Sequence, residues 1–276
     1  MTRTRIDVAA QLHKIRELHT ELAQSRAEYD FQASALVSHA DAYASDPPRL
    51  RRYATTTVNA RIMQFLAVTF MKTYHFLDAY LYGIDRKNPF AALSAARSPL
   101  EIYAVTWDTV EAVRKNAGGQ TAGFAERVKA VDEALISATY GTRSQFIKNL
   151  LRQIPGISKV RPVSDDDVAL VEARNVLGRI DRLAKSGVFP ESRDVYDRLC
   201  EYLHPNVGQN LILCAPSRMG ENFWRLERAG DQAIQYALTA SASSMAQSAE
   251  GSVRLFDGLT PPFGDGPMVT LRPGAR

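Results

Sequence analysis

Cysteine is nearly absent: Cys200 and Cys214 are the only two in 276 residues. Neither stands in a Cys-x-x-Cys pair and no histidine follows at finger spacing, so no zinc site is expected. The same scarcity excludes a disulfide scaffold. Lysine is also sparse, with 8 against 26 arginines. Acids nearly balance the bases, leaving a formal charge of +4. A dedicated nucleic-acid binder concentrates more positive charge than this in one patch. No apolar run reaches membrane length. Val58 to Tyr82 comes nearest, but Arg61, Gln64, Lys72, His75 and Asp78 interrupt it. Each charge at a bilayer centre costs about 2.5–3.5 kcal/mol on insertion scales, so this segment reads as a core helix and no membrane partner is expected. Met1 to Gln11 carries Arg3 and Arg5 without an apolar core and does not read as a secretory signal. With two reduced thiols, the expected setting is cytoplasmic.

Phosphate, metal and nucleophile motifs are missing as well. Gly118-Gly119 lacks the Lys-Ser/Thr of a phosphate-binding loop. Asp165, Asp166 and Asp167 are consecutive and point in different directions, unlike the alternating acids of a calcium loop. There is no Gly-x-Ser-x-Gly elbow. No cofactor is expected.

The apolar pattern recurs every three to four residues, and two-residue alternation is scarce. With 45% hydrophobic and 23% charged residues, the chain reads as an all-α bundle of about seven to nine helices. A long amphipathic stretch from Ile6 to about Ala44 presents Leu12, Ile15, Leu18 and Leu22, then Tyr29 and Leu36, and is expected to project. Asp46-Pro47-Pro48 breaks it. A second helix is predicted from about Leu50 to Tyr82, with Gly83 as its stop. Ser98-Pro99-Leu100-Glu101 has the form of a capping box, which would start a third helix there; a start at Pro89 would lengthen it. Further helices are expected over about 122–139, 142–154, 164–187, 190–204 and 217–247. The last carries Gly230, Ala233, Ala237, Ala240 and Ser244 at helical spacing, which favours close helix approach. Residues 1–250 are expected to form one domain, with the stretch 155–164 as the one place where a linker would divide it. Residues 251–276 hold 5 Gly and 4 Pro, and read as a disordered or loosely docked tail in which Leu255, Phe256 and Phe263 are the groups able to dock.

Three groups of residues carry potential chemistry. Tyr196 to Asn206 contains Arg198 and His204 at an Arg-x5-His spacing. Histidine serves as a general base near neutral pH, and arginine stabilises a developing phosphorane charge. This spacing resembles that of the HEPN ribonucleases, small dimerising helical bundles. The resemblance implies metal-independent RNA cleavage with His204 as base and Arg198 as phosphate stabiliser. Helix-end complementation by His204 is the purely structural reading.

Arg97 and Glu101, followed later by Tyr196, Leu199, His204 and Pro205, form a second pattern. It resembles uncharacterised bacterial all-helical proteins with an Arg-x3-Glu helix and a Tyr-x2-Leu-x4-His-Pro helix. That resemblance implies a fold and a polar cluster of Arg97, Glu101, Tyr202 and His204 able to line a ligand pocket. The third group is basic: Arg143, Lys148, Arg152, Lys159 and Arg161, with no acid between Gly141 and Pro162. It would meet RNA phosphates in a salt-dependent way, or simply form a solvated helix face. The leading functional expectation is a non-catalytic interaction or scaffold module with a protein partner or a second copy of itself. The alternatives are a HEPN-like ribonuclease and a small-ligand sensor.

Overall fold

A computed structural model describes residues 7–26, 47–119, 123–141, 144, 146, 175–204, 229–257 and 262–264. The described residues are predominantly helical and contain no strand. The helices are α1 (Val8–Arg26), α2 (Pro47–Tyr53), α3 (Asn59–Asp85), α4 (Pro89–Gly118), α5 (Phe124–Tyr140), α6 (Val176–Lys185), α7 (Ser192–Leu203) and α8 (Ala229–Asp257). A single π-helical turn, Ala54–Val58, joins α2 to α3. Among the described residues no helix is long and apolar enough to cross a membrane.

These residues belong to two compact units. The first takes its described parts from Met1–Ala27, Phe70–Ala104 and Arg179–Arg254; the second from Glu28–Thr69, Val105–Gly178 and Leu255–Arg276. Helices α3 and α4 each begin in one unit and end in the other. The stretch 155–164, the expected place for a dividing linker, lies outside the described residues.

Two expected boundaries move, each for a local reason. Gly83 does not stop α3, which continues to Asp85. The stop is a Schellman arrangement: the Asn88 N–H donates to the Gly83 carbonyl at 2.8 Å, and the Lys87 N–H to that of Ile84 at 3.0 Å. Lys87 takes the left-handed conformation there, with φ of 54°. Gly83 serves close approach instead. A Cβ on it would stand 2.6 Å from the Ala92 nitrogen of α4.

The Ser98-Pro99-Leu100-Glu101 stretch is not a helix start. α4 begins at Pro89, where the Asn88 side chain caps the Ala91 N–H at 3.0 Å and proline occupies the first helical position. Pro99 therefore sits inside a helix, where proline costs about 3 kcal/mol. Burial of Leu93, Ala96, Leu100 and Ala104 along one face offsets it.

In the first unit, α1 buries Ile15 and Leu22. Its polar edge pairs Lys14 with Glu250 of α8, and Arg16 with Asp85 and His19 with Asp78 of α3. The His19 ring also stacks on Tyr74. The small residues of α8 are consumed internally: Ala237, Ala242, Ala246 and Ala249 are buried, and a Cβ at Gly251 would collide with the Tyr103 ring of α4. This packing explains why α8 runs past Gly251 to Asp257 although the composition shifts there. Gly187, with φ of 78°, closes the turn after α6.

In the second unit, Leu50, Val58, Phe65, Val110, Val113, Val128, Val131 and Leu135 are buried. Phe263 is buried too, edge-to-face against Phe124. This part of the Gly/Pro-rich stretch is thus docked.

Two outcomes test this packing. Gly83→Ala should lower the melting temperature, an overpacking cost of about 1–3 kcal/mol. Gly118→Ala, where a Cβ meets nothing, should not. The Glu250 carboxyl feels opposing effects: burial raises its pKa, but the Lys14 hydrogen bond and charge, with Arg254, lower it below the ordinary value. A lowered folded pKa stabilises above the unfolded value, and that gain is lost as pH falls through the folded value. Between about pH 5 and pH 3, the melting temperature should therefore fall more steeply in the wild type than in Glu250→Gln.

Candidate functional site

The uninterrupted α4 sets Arg97 and Glu101 one helical turn apart on the same face. Arg97 Nε donates to Glu101 Oε1 at 2.9 Å. Tyr196 of α7 completes the group. Its hydroxyl accepts from Arg97 Nη2 at 2.9 Å and donates to the same Glu101 Oε1 at 3.0 Å. The guanidinium also lies 5.1 Å from the Tyr196 ring centroid, within cation–π range. The three side chains form a closed ring of hydrogen bonds between two helices. The Arg97 and Glu101 side chains are 34% and 30% exposed, so the ring is half-buried. Burial, then the Glu101 charge and hydrogen bond, push the Tyr196 hydroxyl up to about 12, against the opposing Arg97 charge. It stays protonated at neutral pH and able to donate.

α7 is held from its other sides as well. Ser192 Oγ donates to the Ile180 carbonyl of α6, and Arg193 bridges Asp181 of α6 and Asp197 of α7. Toward its end, the Tyr202 and Tyr236 hydroxyls are 2.6 Å apart and the rings meet edge-to-face, joining α7 to α8. Burial, and next the Tyr236 hydrogen bond, push the Tyr202 hydroxyl up to about 12.

The other residues singled out from sequence fall in three places. Arg198 is exposed, and its Nε donates to the Asp194 carbonyl of its own helix. His204 is exposed at the end of α7, where the backbone turns extended (φ −83°, ψ 147°), as expected of a residue before proline. Among the described residues no hydrogen bond or ion pair joins His204 to Arg198 or to the Arg97–Glu101–Tyr196 ring. Arg143, Lys148, Arg152, Lys159 and Arg161 lie outside the described residues, as do Cys214 and the three consecutive aspartates. Among the described residues no cluster of three or more His, Cys, Asp or Glu offers a metal site.

The second unit holds a polar cluster that sequence reasoning missed. Arg61 of α3 pairs with Asp132 of α5, with the two side chains 3% and 0% exposed. The Tyr53 hydroxyl donates to the other Asp132 oxygen at 2.6 Å. Burial, chiefly, raises the Tyr53 pKa above its ordinary value. The π-helical turn lies between Tyr53 and Arg61 in the chain. The available signal was Asp132 among Val131, Leu135 and Ile136, an acid on a face that is otherwise core.

A buried pair of this kind is costly to break from one side. Asp132→Ala should destabilise by about 3–5 kcal/mol, because it removes the buried carboxylate that pairs with the Arg61 charge. Chemical denaturation measures this, and a loss below about 1 kcal/mol would contradict the pairing. No family model, curated protein or solved structure matches the chain.

Proposed function

We propose that the chain is a non-catalytic helical interaction module that works in the cytoplasm and assembles with a second copy of itself. The Arg97–Glu101–Tyr196 ring carries this reading. Its polar groups are bonded to one another across α4 and α7, so a ligand would have to break those bonds to use them. They act as a helix staple. The exposed edge nearby has the composition of a protein-docking surface, since tyrosine and arginine are over-represented at interface hot spots. Tyr236 is 43% exposed beside Tyr202, and the Arg198 charge acts on Tyr202. At micromolar concentration the native mass measured by light scattering should be a multiple of the chain mass. A strictly monomeric mass would contradict the reading.

The HEPN-like ribonuclease is the second reading. It is favoured by one observation: Arg198 and His204 are both exposed on the last turns of α7. It predicts RNA cleavage in EDTA, lost in a still-helical His204→Ala variant. Absence of cleavage by the wild type would leave the interaction module as the better account.

A further inference from the structure

Three hydroxyls of α8 are buried with nothing to bond. Ser244, Ser248 and Ser252 are 4%, 0% and 0% exposed, and among the described residues their Oγ atoms have no hydrogen-bond partner. A serine inside a helix can turn back to the carbonyl one turn earlier, as Ser241 does to that of Ala237. These three do not. A buried hydroxyl without a partner is destabilising, and native structures satisfy nearly all of them with protein or with water.

The second observation lies in α4. Pro99 is inside that helix and has no N–H, so the Ala95 carbonyl lacks its ordinary intrahelical donor. Ala95 is 4% exposed, which keeps bulk solvent from supplying one. Contacts among three helices bring the two features together. Gly83 of α3 abuts Ala92 of α4. The two helices are antiparallel across a tight turn, so Tyr80 and Ala95, equally displaced from that contact, stand at one level. α8 meets the Tyr80 hydroxyl at Ser241, with 3.0 Å between the oxygens, and the Tyr103 ring at Gly251. It therefore runs beside α4 in the same direction, and Ser244 and Ser248 fall alongside the turn that contains Pro99. At about 3.6 residues per turn, they also lie on the arc of α8 between Ser241 and Gly251, the arc that faces the seam of α3 and α4.

A carbonyl only accepts, whereas a serine hydroxyl donates and accepts. A molecule between them must donate to the carbonyl and exchange a hydrogen bond with a serine. The hydroxyl lining carries no counter-charge for an ion. Water meets these demands. We propose that the α4–α8 seam is a buried water-binding site, formed by Ser244, Ser248 and the Ala95 carbonyl, in which water supplies the hydrogen bond that Pro99 withdraws. Burial along α4 offsets the cost of the proline, and the bound water keeps the helix hydrogen-bonded through it.

Water-oxygen magnetic relaxation dispersion on the full chain counts the waters held longer than the protein takes to tumble. The wild type should hold at least one, and the double variant Ser244→Ala, Ser248→Ala should hold fewer. A wild type with no long-lived water, or an equal count in the folded variant, overturns the proposal. Thermal unfolding gives an independent reading. Ser248→Ala should lower the melting temperature by about 2–4 °C, the shift expected for one lost hydrogen bond. In a Pro99→Ala background, where the helix regains its N–H, the same change should cost less. An unchanged or raised melting temperature, as expected of a hydroxyl that bonds nothing, overturns the proposal, and so does an equal loss with and without Pro99. If the double variant loses its helical circular dichroism, the wild-type count and the single Ser248→Ala variant decide.

Discussion

The passage of α4 through Pro99 without a break is the constraint on which the first unit depends. A helix that started at Ser98 would have used Glu101 on its own N-terminus, and Arg97 would have preceded it as loop. One continuous helix does the opposite. It places Arg97 and Glu101 on a common face, opens both to Tyr196, and so joins α4 to α7. The same helix meets Gly83 of α3 and Gly251 of α8 at distances that exclude a Cβ. Helices held this closely tolerate a proline because burial of Leu93, Ala96, Leu100 and Ala104 outweighs the one lost backbone bond.

The two polar clusters solve different problems. Arg61 and Asp132 are stripped of water and paired with each other, so removing either side is costly. The Tyr53 hydroxyl donates to the second carboxylate oxygen. Arg97 and Glu101 keep about a third of their side-chain surface in water. Their attraction is screened, and what they contribute is mainly orientation: a planar guanidinium, a carboxylate and a phenol fix one way for α7 to lie on α4.

The helical class was legible because three-to-four periodicity is carried by large apolar residues such as Ile15, Leu22, Ile62, Leu66 and Leu77, all buried. The end of α7 was legible because His204 precedes a proline. What was not legible turned on contacts distant in sequence. Gly83 looks the same whether it caps a helix or admits Ala92. Ser98-Pro99-Leu100-Glu101 matches a capping box locally, and only packing along α4 overrides it. Phe263 gives no sign of its partner, because Phe124 and Asn59 are more than a hundred residues away. Of the candidate site, the Arg97–Glu101 pair and the importance of α7 could be read. The partner that closes the ring, Tyr196, shows in the sequence only as part of a motif, while His204 stands apart and exposed.

The most distinctive polar motif of this chain is a staple between helices. A double-mutant cycle of Glu101→Gln and Tyr196→Phe, read by denaturant unfolding, tests it most directly. The expected coupling is at least about 0.5 kcal/mol, with each single change destabilising. Strictly additive effects, or single changes that leave stability untouched, would contradict it.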